Sequence, residues 1–243
     1  MKPGSFIIDN IDSSALKSVI QNRPDLETPK RKLNFVSVSG RSGDLPFDEE
    51  AYENTNMNLI LFTMGQSEEE LIYIRSKILH AFDHGSYVNF IPYFDSNKTY
   101  RVMLSSGPSF TSSGQNPEAS QYALGLTVKP YKMLPKVLFE TTSAITITNN
   151  TFYISEPKIT INGTGDITLK VNGKPFVLKG IESYIVIDTE IAHSYKTVND
   201  ILLGQDMKVF TLDYPILTPG KNTIEWTGNV TSVIVEPKWR SLI

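Results

Sequence analysis

The sequence predicts a mainly β protein of two domains, on three observations. Short apolar–polar alternations recur along nearly the whole chain, the period of half-buried strands. One stretch, 67–82, carries the 3–4-residue apolar spacing of a helix, and it lies in the first half. Pro130 and Pro135 bracket Tyr131 to Leu134 between two strand-rich halves, which places a domain boundary at 134. The predicted architecture is an N-terminal β-sandwich-like domain over 1–134, with one α-helix and an extended hairpin, then a C-terminal β-sandwich over 135–243. Domains of roughly 110–130 residues bury about two-thirds of their unfolded surface, enough for stability without metals or cross-links.

Each element has a local cause. Ser5 to Asp9 reads as a first short strand, and Ser13 to Ile20 as a helical turn or irregular crossover. Pro24 and Pro29 mark a loop. Leu33, Phe35, Val36 and Val38 form a strand that stops at the glycine-flanked turn Gly40–Asp44, and a further strand lies within Tyr52 to Met64. Ser67 with Glu70 makes a capping box, and Leu71, Ile74, Ile78 and Phe82 form one apolar stripe that should pack across a sheet face. Gly85 ends this helix. Tyr87–Ile91 and Tyr100–Leu104 form a hairpin whose aromatic residues exceed what one small core absorbs. Residues 105–119, rich in Gly, Ser and Pro, read as a long loop before the strand Tyr122–Val128.

In the second half the expected strands are Ile145–Thr148, Lys158–Ile161, Asp166–Val171, Lys174–Leu178, Ser183–Ile187, Val209–Leu212, Thr223–Trp226 and Ser232–Val235. Asn172-Gly173 is a type I′ hairpin turn. Thr227-Gly228-Asn229 reads as a second hairpin turn, and His193 to Asp206 as a long loop.

Composition excludes several kinds of chemistry. Without cysteine there are no disulfides, thiolate metal sites or cysteine nucleophiles. The net charge is −3, with 13 basic against 15 acidic residues up to position 134 and 10 against 11 beyond it. Neither half has the basic excess that nucleic-acid binding draws on. No apolar run approaches a membrane span, and no apolar signal core opens the chain. The Asn-x-Ser/Thr matches at Asn97, Asn149, Asn162 and Asn229 read as turn residues. His80 and His84, four apart, fit the cation-favouring end of a helix better than a metal pair. The clusters Asp48-Glu49-Glu50 and Glu68-Glu69-Glu70 read as a solvated loop and a helix start. Asn162, Thr164 and Asp166 around Gly163 and Gly165 read as a tight turn rather than a calcium loop. No nucleophile elbow, phosphate-binding loop or Rossmann fingerprint occurs, so neither an enzyme nor a cofactor is expected.

Two signatures stand together in the chain. The first runs Val36-Ser37-Val38-Ser39-Gly40-Arg41-Ser42-Gly43-Asp44-Leu45, with Tyr52 following. The second includes Ile159 to Gly165, the hairpin through Asn172-Gly173, Ile185 to Glu190, Pro219 to Trp226 and Pro237-Lys238-Trp239-Arg240. In this order and spacing they resemble the distal tail protein of long-tailed bacteriophages of Gram-positive bacteria. The resemblance implies an N-terminal domain that closes into a homohexameric ring, single or stacked, and a galectin-like or carbohydrate-module-like C-terminal sandwich outside it. It implies a tail-tip hub in the virion, assembled in the host cytoplasm, between the tail tube protein and the tail-associated lysin or fibre protein. DNA passes through unbound, receptor-binding proteins are possible partners, and no membrane is engaged. Gly40, Arg41, Gly43, Asp44, Tyr93, Phe94 and Tyr100 are the candidate subunit-interface residues. Two rivals are a lectin-like module for host-surface attachment and a glycosidase built on Asp188, Glu190 and Glu225.

Overall fold

The computed structural model describes residues 1–113 and 116–243, which divide into two compact units, Met1–Lys132 with Leu242–Ile243, and Met133–Ser241. In chain order the first unit carries β1 (Phe6–Ile8), β2 (Ile11–Asp12), β3 (Ser18–Ile20), β4 (Arg31–Val36), β5 (Leu45–Tyr52) and β6 (Thr55–Met64). Helix α1 (Glu68–Phe82) follows, then β7 (Val88–Pro92), β8 (Tyr100–Leu104), β9 (Ser109–Ser113) and β10 (Asn116–Val128), and β11 (Tyr131–Met133) runs across the division. The rest of the chain carries β12 (Phe139–Thr141), β13 (Ile145–Asn149), β14 (Lys158–Val171), β15 (Lys174–Ile181) and β16 (Tyr184–Asp188). It ends with β17 (His193–Val198), β18 (Ile201–Gly204), β19 (Gly220–Glu236) and β20 (Arg240–Leu242).

An eight-stranded antiparallel sheet, ordered β2-β1-β7-β8-β10-β6-β3 with β9 beside β10, forms the body of the first unit. Strands β6 and β10 pair continuously from Thr55↔Val128 to Met64↔Ala119. Their alternation sends Met57, Leu59, Leu61, Leu124, Leu126 and Val128 into one core. Ile74, Ile78, Ala81 and Phe82 of α1 join the same core, as the single apolar stripe requires. Each fully buried Leu, Ile or Phe contributes about 1.5–3 kcal/mol of transfer free energy. The helix starts where its cap places it: Ser67 Oγ accepts from the Glu70 N–H at 3.2 Å. The Glu70 carboxylate accepts from Gln66 N–H at 2.6 Å, one residue before the position a capping box uses.

Two expectations for this unit need correction, and one open choice is settled. The 105–119 segment contains β9, paired with β10, because Phe110 packs edge-on against Tyr122 at 4.9 Å and under the Arg75 guanidinium. Gly114 and Gln115, in the middle of that segment, lie outside the described residues. The acidic run Asp48-Glu49-Glu50 lies on strand β5, not in a loop. Between β1 and β3 the chain forms turns and the two-residue β2, where a helical turn was one option.

The second unit is built on two long strands. β14 and β19 run antiparallel from Lys158↔Glu236 to Val171↔Ile224, with register shifts around Gly163 to Thr168. On one side of the shift β14 pairs with β16, and on the other with β15. Likewise β19 pairs with β12 near its end and β13 near its start. Each long strand therefore serves both layers of a sandwich, and Ile159, Ile161, Leu169, Val171, Ile224 and Val233 meet in a single core. Two glycines make the crossing possible. A Cβ at Gly163 would stand closer than 3.0 Å to the Asn229 carbonyl oxygen, and one at Gly228, where φ is +107°, would meet the Asp166 carbonyl oxygen as closely.

Gly228 therefore lies inside one strand, opposite the register shift in β14 between Thr164 and Thr168, where the sequence suggested the turn of a hairpin. Asn162, Asn229 and Asn149 likewise sit on strands rather than in turns, and Asp166 accepts the Gly180 N–H at 3.0 Å beside that shift. The I′ turn at Asn172-Gly173 is present, with φ of 52° and 78°. The segment expected to be a long loop, 193–206, holds the hairpin β17–β18, turned by Asn199 and Asp200 at positive φ. Of the expected strand 209–212, Val209 bridges Leu178 and Phe210 N–H donates to Val177 O at 2.9 Å.

Candidate functional site

Strands β4 and β5 pair with each other and with no other described strand. Alternating aromatic and aliphatic residues give both chains of this ribbon their extended form. Gly40 and Gly43, with φ of 79° and 83°, turn the tip. The register Asn34↔Phe47 and Phe35↔Pro46 puts Phe35 and Leu33 on one face and Phe47 with Val36 on the other. Neither face touches the core. Phe35 is 60% exposed and Phe47 55%, and Leu33, Val36 and Val38 are exposed as well. A two-stranded ribbon is marginal alone in water, and apolar side chains on both of its faces have nothing to bury against within the unit.

The base of this arm is tied down by charge. Arg31 Nε donates to both Asp48 carboxylate oxygens at 2.8 Å, and its guanidinium lies 5.6 Å from the centre of the Tyr52 ring. The hydrogen bond from Arg31 holds Asp48 below the usual carboxylate range. Tyr52 packs edge-on against Tyr131 at 5.9 Å. An anchored base with apolar side chains left uncovered along the ribbon suits an element that reaches a neighbouring molecule.

The candidate interface residues fall into three settings. Gly40, Arg41, Gly43 and Asp44 are exposed at the arm tip. Tyr93 and Phe94 are half-buried in a 3-10 turn, their rings 5.5 Å apart and edge-on, with Arg23 over Phe94. Tyr100 is only 2% exposed and belongs to the core of its own unit, as does Phe90. The aromatic excess of the 87–100 hairpin is thus largely absorbed by packing with Phe6 and Phe82. Sequence reasoning missed β5 and its Leu45 and Phe47, whose only signal was alternation across Pro46 beside the acidic run.

Tyr100 also closes a polar cluster. Its hydroxyl donates to Asp95 at 2.9 Å, and Lys132 and Lys98 donate to the same carboxylate at 2.8 and 3.3 Å. Burial holds Tyr100 well above its ordinary range, reinforced by Asp95. At Asp95, burial alone would raise the pKa, but the hydrogen bonds from Lys132 and Tyr100 outweigh it and hold the carboxyl below the 3.8 of a free aspartate. A depressed folded-state pKa adds stability above the unfolded value, and that stability is lost as pH falls through the folded value. Asp95→Asn is therefore expected to lower stability at neutral pH and to flatten its fall below a pH of about 4. Urea unfolding at several pH values checks this; parallel curves for variant and parent would refute it.

The second unit holds a cleft of about 810 Å³ between the 211–218 segment and β15, floored by Phe176 and Tyr214. Asp188, Glu190 and Glu225 do not line it. Asp188 and Glu190 accept from Lys238 at 2.8 and 3.0 Å, and exposed Glu225 lies 3.9 Å from Lys170. Burial would lower Lys238, but its bonds to these two carboxylates outweigh that and hold its ammonium above the usual range. Trp226 and Trp239 are half-buried against the sandwich core. His193, unassigned from sequence, pairs its Nδ1 with Asp206 at 2.5 Å, and the Ser194 N–H and Tyr214 hydroxyl donate to the same carboxylate. His80 and His84 have their rings 5.7 Å apart, and no three metal-ligating side chains gather among the described residues. No helix among them is long and apolar enough to cross a membrane.

The sequence matches no protein-family model and no curated protein. The fold does have solved counterparts. The crystal structure of SPP1 Dit (gp 19.1), described as a paradigm of the hub adsorption apparatus in phages infecting Gram-positive hosts, superposes with a TM-score of 0.72 at 16% identity, over 98% of this chain and 99% of that one. The phage P2 baseplate in its activated conformation matches with a TM-score of 0.58 with calcium and 0.56 with strontium, at 12% identity in each case. Those matches cover 97% and 98% of this chain and 98% of each counterpart. From end to end, the chain has the fold of these tail proteins.

Proposed function

We propose that this chain is a structural hub of a phage tail tip, a distal tail protein that closes into a ring of about six copies, single or stacked. In this role residues 1–134 form the ring and residues 135–243 stand outside it. The ring joins the tail tube protein to the tail-associated lysin or fibre protein, and DNA passes through its opening. The protein resides in the virion and assembles in the host cytoplasm, where a chain without cysteine needs no oxidising compartment. Its role is geometric and makes or breaks no bond.

The observation that carries this is the arm. A ring requires a heterologous interface, in which one patch of each subunit meets a different patch of the next. The β4–β5 ribbon, apolar on both faces and free of its own core, supplies one such patch with Gly40, Arg41, Gly43 and Asp44 at its end. Tyr93 and Phe94 are candidates for the second. The near-balance of charge in the first half supports an opening that does not grip a polyanion.

Multi-angle light scattering at tens of micromolar tests the reading. The expected result is a mass about six times the 27.2 kDa chain, or about twelve times for stacked rings. A strict monomer, with or without tail tube protein present, would overturn it.

A further inference from the structure

The outer end of the second unit's sheet carries an edge of unusual character. The sheet runs β12-β19-β14-β16-β17-β18, so β18 is paired on one side only. Exposed strand edges are ordinarily blunted by lysine, proline, a bulge or extreme shortness. The opposite end of this sheet follows that rule, since β12 has three residues and carries Glu140. The ends of the first sheet do so too, being the two-residue β2 with Asp12 and the three-residue β3. Strand β18 has none of these devices. It reads Ile201-Leu202-Leu203-Gly204, with its three aliphatic residues 63%, 54% and 40% exposed.

The register shows what this edge presents. A two-residue turn at Asn199-Asp200 makes Val198 and Ile201 a hydrogen-bonded pair, and the alternation then bonds Lys196 with Leu203. Gln205 N–H donates to Ser194 O at 2.6 Å, in step with that alternation. The N–H and C=O of Leu202 and the N–H of Gly204 consequently point away from β17 as an open ladder, while the outward Gly204 C=O accepts from the Gln205 side-chain amide at 3.0 Å. Ile201 and Leu203 lie on one side of it and Leu202 on the other.

We propose that β18 is a docking edge to which another protein adds an extended strand bearing apolar side chains at alternate positions. The occupant must be a strand, because the groups left open, the Leu202 N–H and C=O and the Gly204 N–H, are main-chain donors and an acceptor at strand spacing. It must be apolar, because no charged side chain lies on β18 itself. A second copy of this edge is a poor occupant: β18 offers four residues a side, against roughly twenty to thirty in a standard stable interface. A foreign strand can also continue over Met207, which follows in the chain and is fully exposed. The proposal does not depend on ring formation, since β18 and the arm are in different units.

The probe is a terminally blocked, fluorescein-labelled peptide Lys-Thr-Val-Thr-Val-Thr-Lys, titrated with the full chain and followed by fluorescence anisotropy. Leu202→Pro removes an outward donor while leaving every bond to β17 in place, as proline on an edge strand allows. Ile201→Lys with Leu203→Lys blunts the edge as natural sheets do. Binding is expected to weaken about tenfold or more in both variants, and to vanish for a peptide N-methylated on alternate residues. In the free protein, hydrogen exchange should be fast at the Leu202 and Gly204 amides and slow at Leu203, and peptide should protect the first two. Undetectable binding at millimolar peptide, or equal binding to both variants, overturns the proposal. So does concentration-dependent self-association that Leu202→Pro alone abolishes, which would assign the edge to a second copy.

Discussion

Replacing Phe35 and Phe47 together by aspartate is expected to leave a folded chain that no longer assembles. Both rings stand on opposite faces of the β4–β5 arm, more than half exposed and outside the core cluster of their unit. Their removal therefore costs the isolated subunit no more than about 0.5 kcal/mol, as for ordinary surface changes. In a ring the same rings would be buried by the neighbour, each contributing about 1.5–3 kcal/mol, and a carboxylate in that place would add a desolvation cost. Losing about 3–6 kcal/mol per interface weakens association by roughly two to four orders of magnitude. Light scattering should report a species of one chain mass at concentrations where the parent assembles, while circular dichroism stays that of a folded chain and the thermal midpoint equals that of the parent diluted until it dissociates. An intact ring from the double variant would exclude the arm as the contact. A monomer that melts below the dissociated parent would show instead that the arm belongs to the fold of its own subunit.

The arm also marks the boundary of what local sequence could disclose. Where the cause of a structure lies within one turn or one helix, it was legible: Ser67 caps α1, the Leu71–Phe82 stripe faces the sheet, and Asn172-Gly173 turns β14 into β15. Where the cause is a distant partner, it was not. Strand β5 looked like a loop because Pro46 and three acidic residues suit an edge as well as a coil, and only pairing with β4 decides between them. Strand β9 looked like a loop because serine-rich sequence takes its conformation from β10. The hairpin β17–β18 was hidden because Val198, Ile201, Leu202 and Leu203 are all exposed, so no inside–outside alternation announced it. Tyr100 looked like a surface residue by count, yet the core had room for it beside Phe90 and Val102. Of the candidate site, the glycine tip was visible in sequence; the apolar ribbon behind it was half visible, through Leu33, Phe35, Val36 and Val38.

Gly228 tests that lesson through a paired substitution, Gly228→Asn against Gly173→Asn. Both glycines have positive φ, and asparagine is the side chain that best tolerates the left-handed region. At Gly173 φ is 78° and nothing lies within 4 Å of a Cβ, so the change should cost less than about 1 kcal/mol. At Gly228 φ is 107°, outside the left-handed well, which strains the backbone by about 1–3 kcal/mol. A Cβ there also meets the Asp166 carbonyl oxygen and Ile167, backbone that cannot retreat without breaking the β14–β19 ladder, for about 1–3 kcal/mol more. The expected difference between the two variants is thus about 1–6 kcal/mol. Both tryptophans, Trp226 and Trp239, lie in the second unit, so the denaturant dependence of tryptophan fluorescence reports that unit alone. If residue 228 sat at the open tip of a hairpin, the two variants would unfold at the same denaturant concentration. A large gap between them is what one bent strand serving two layers demands.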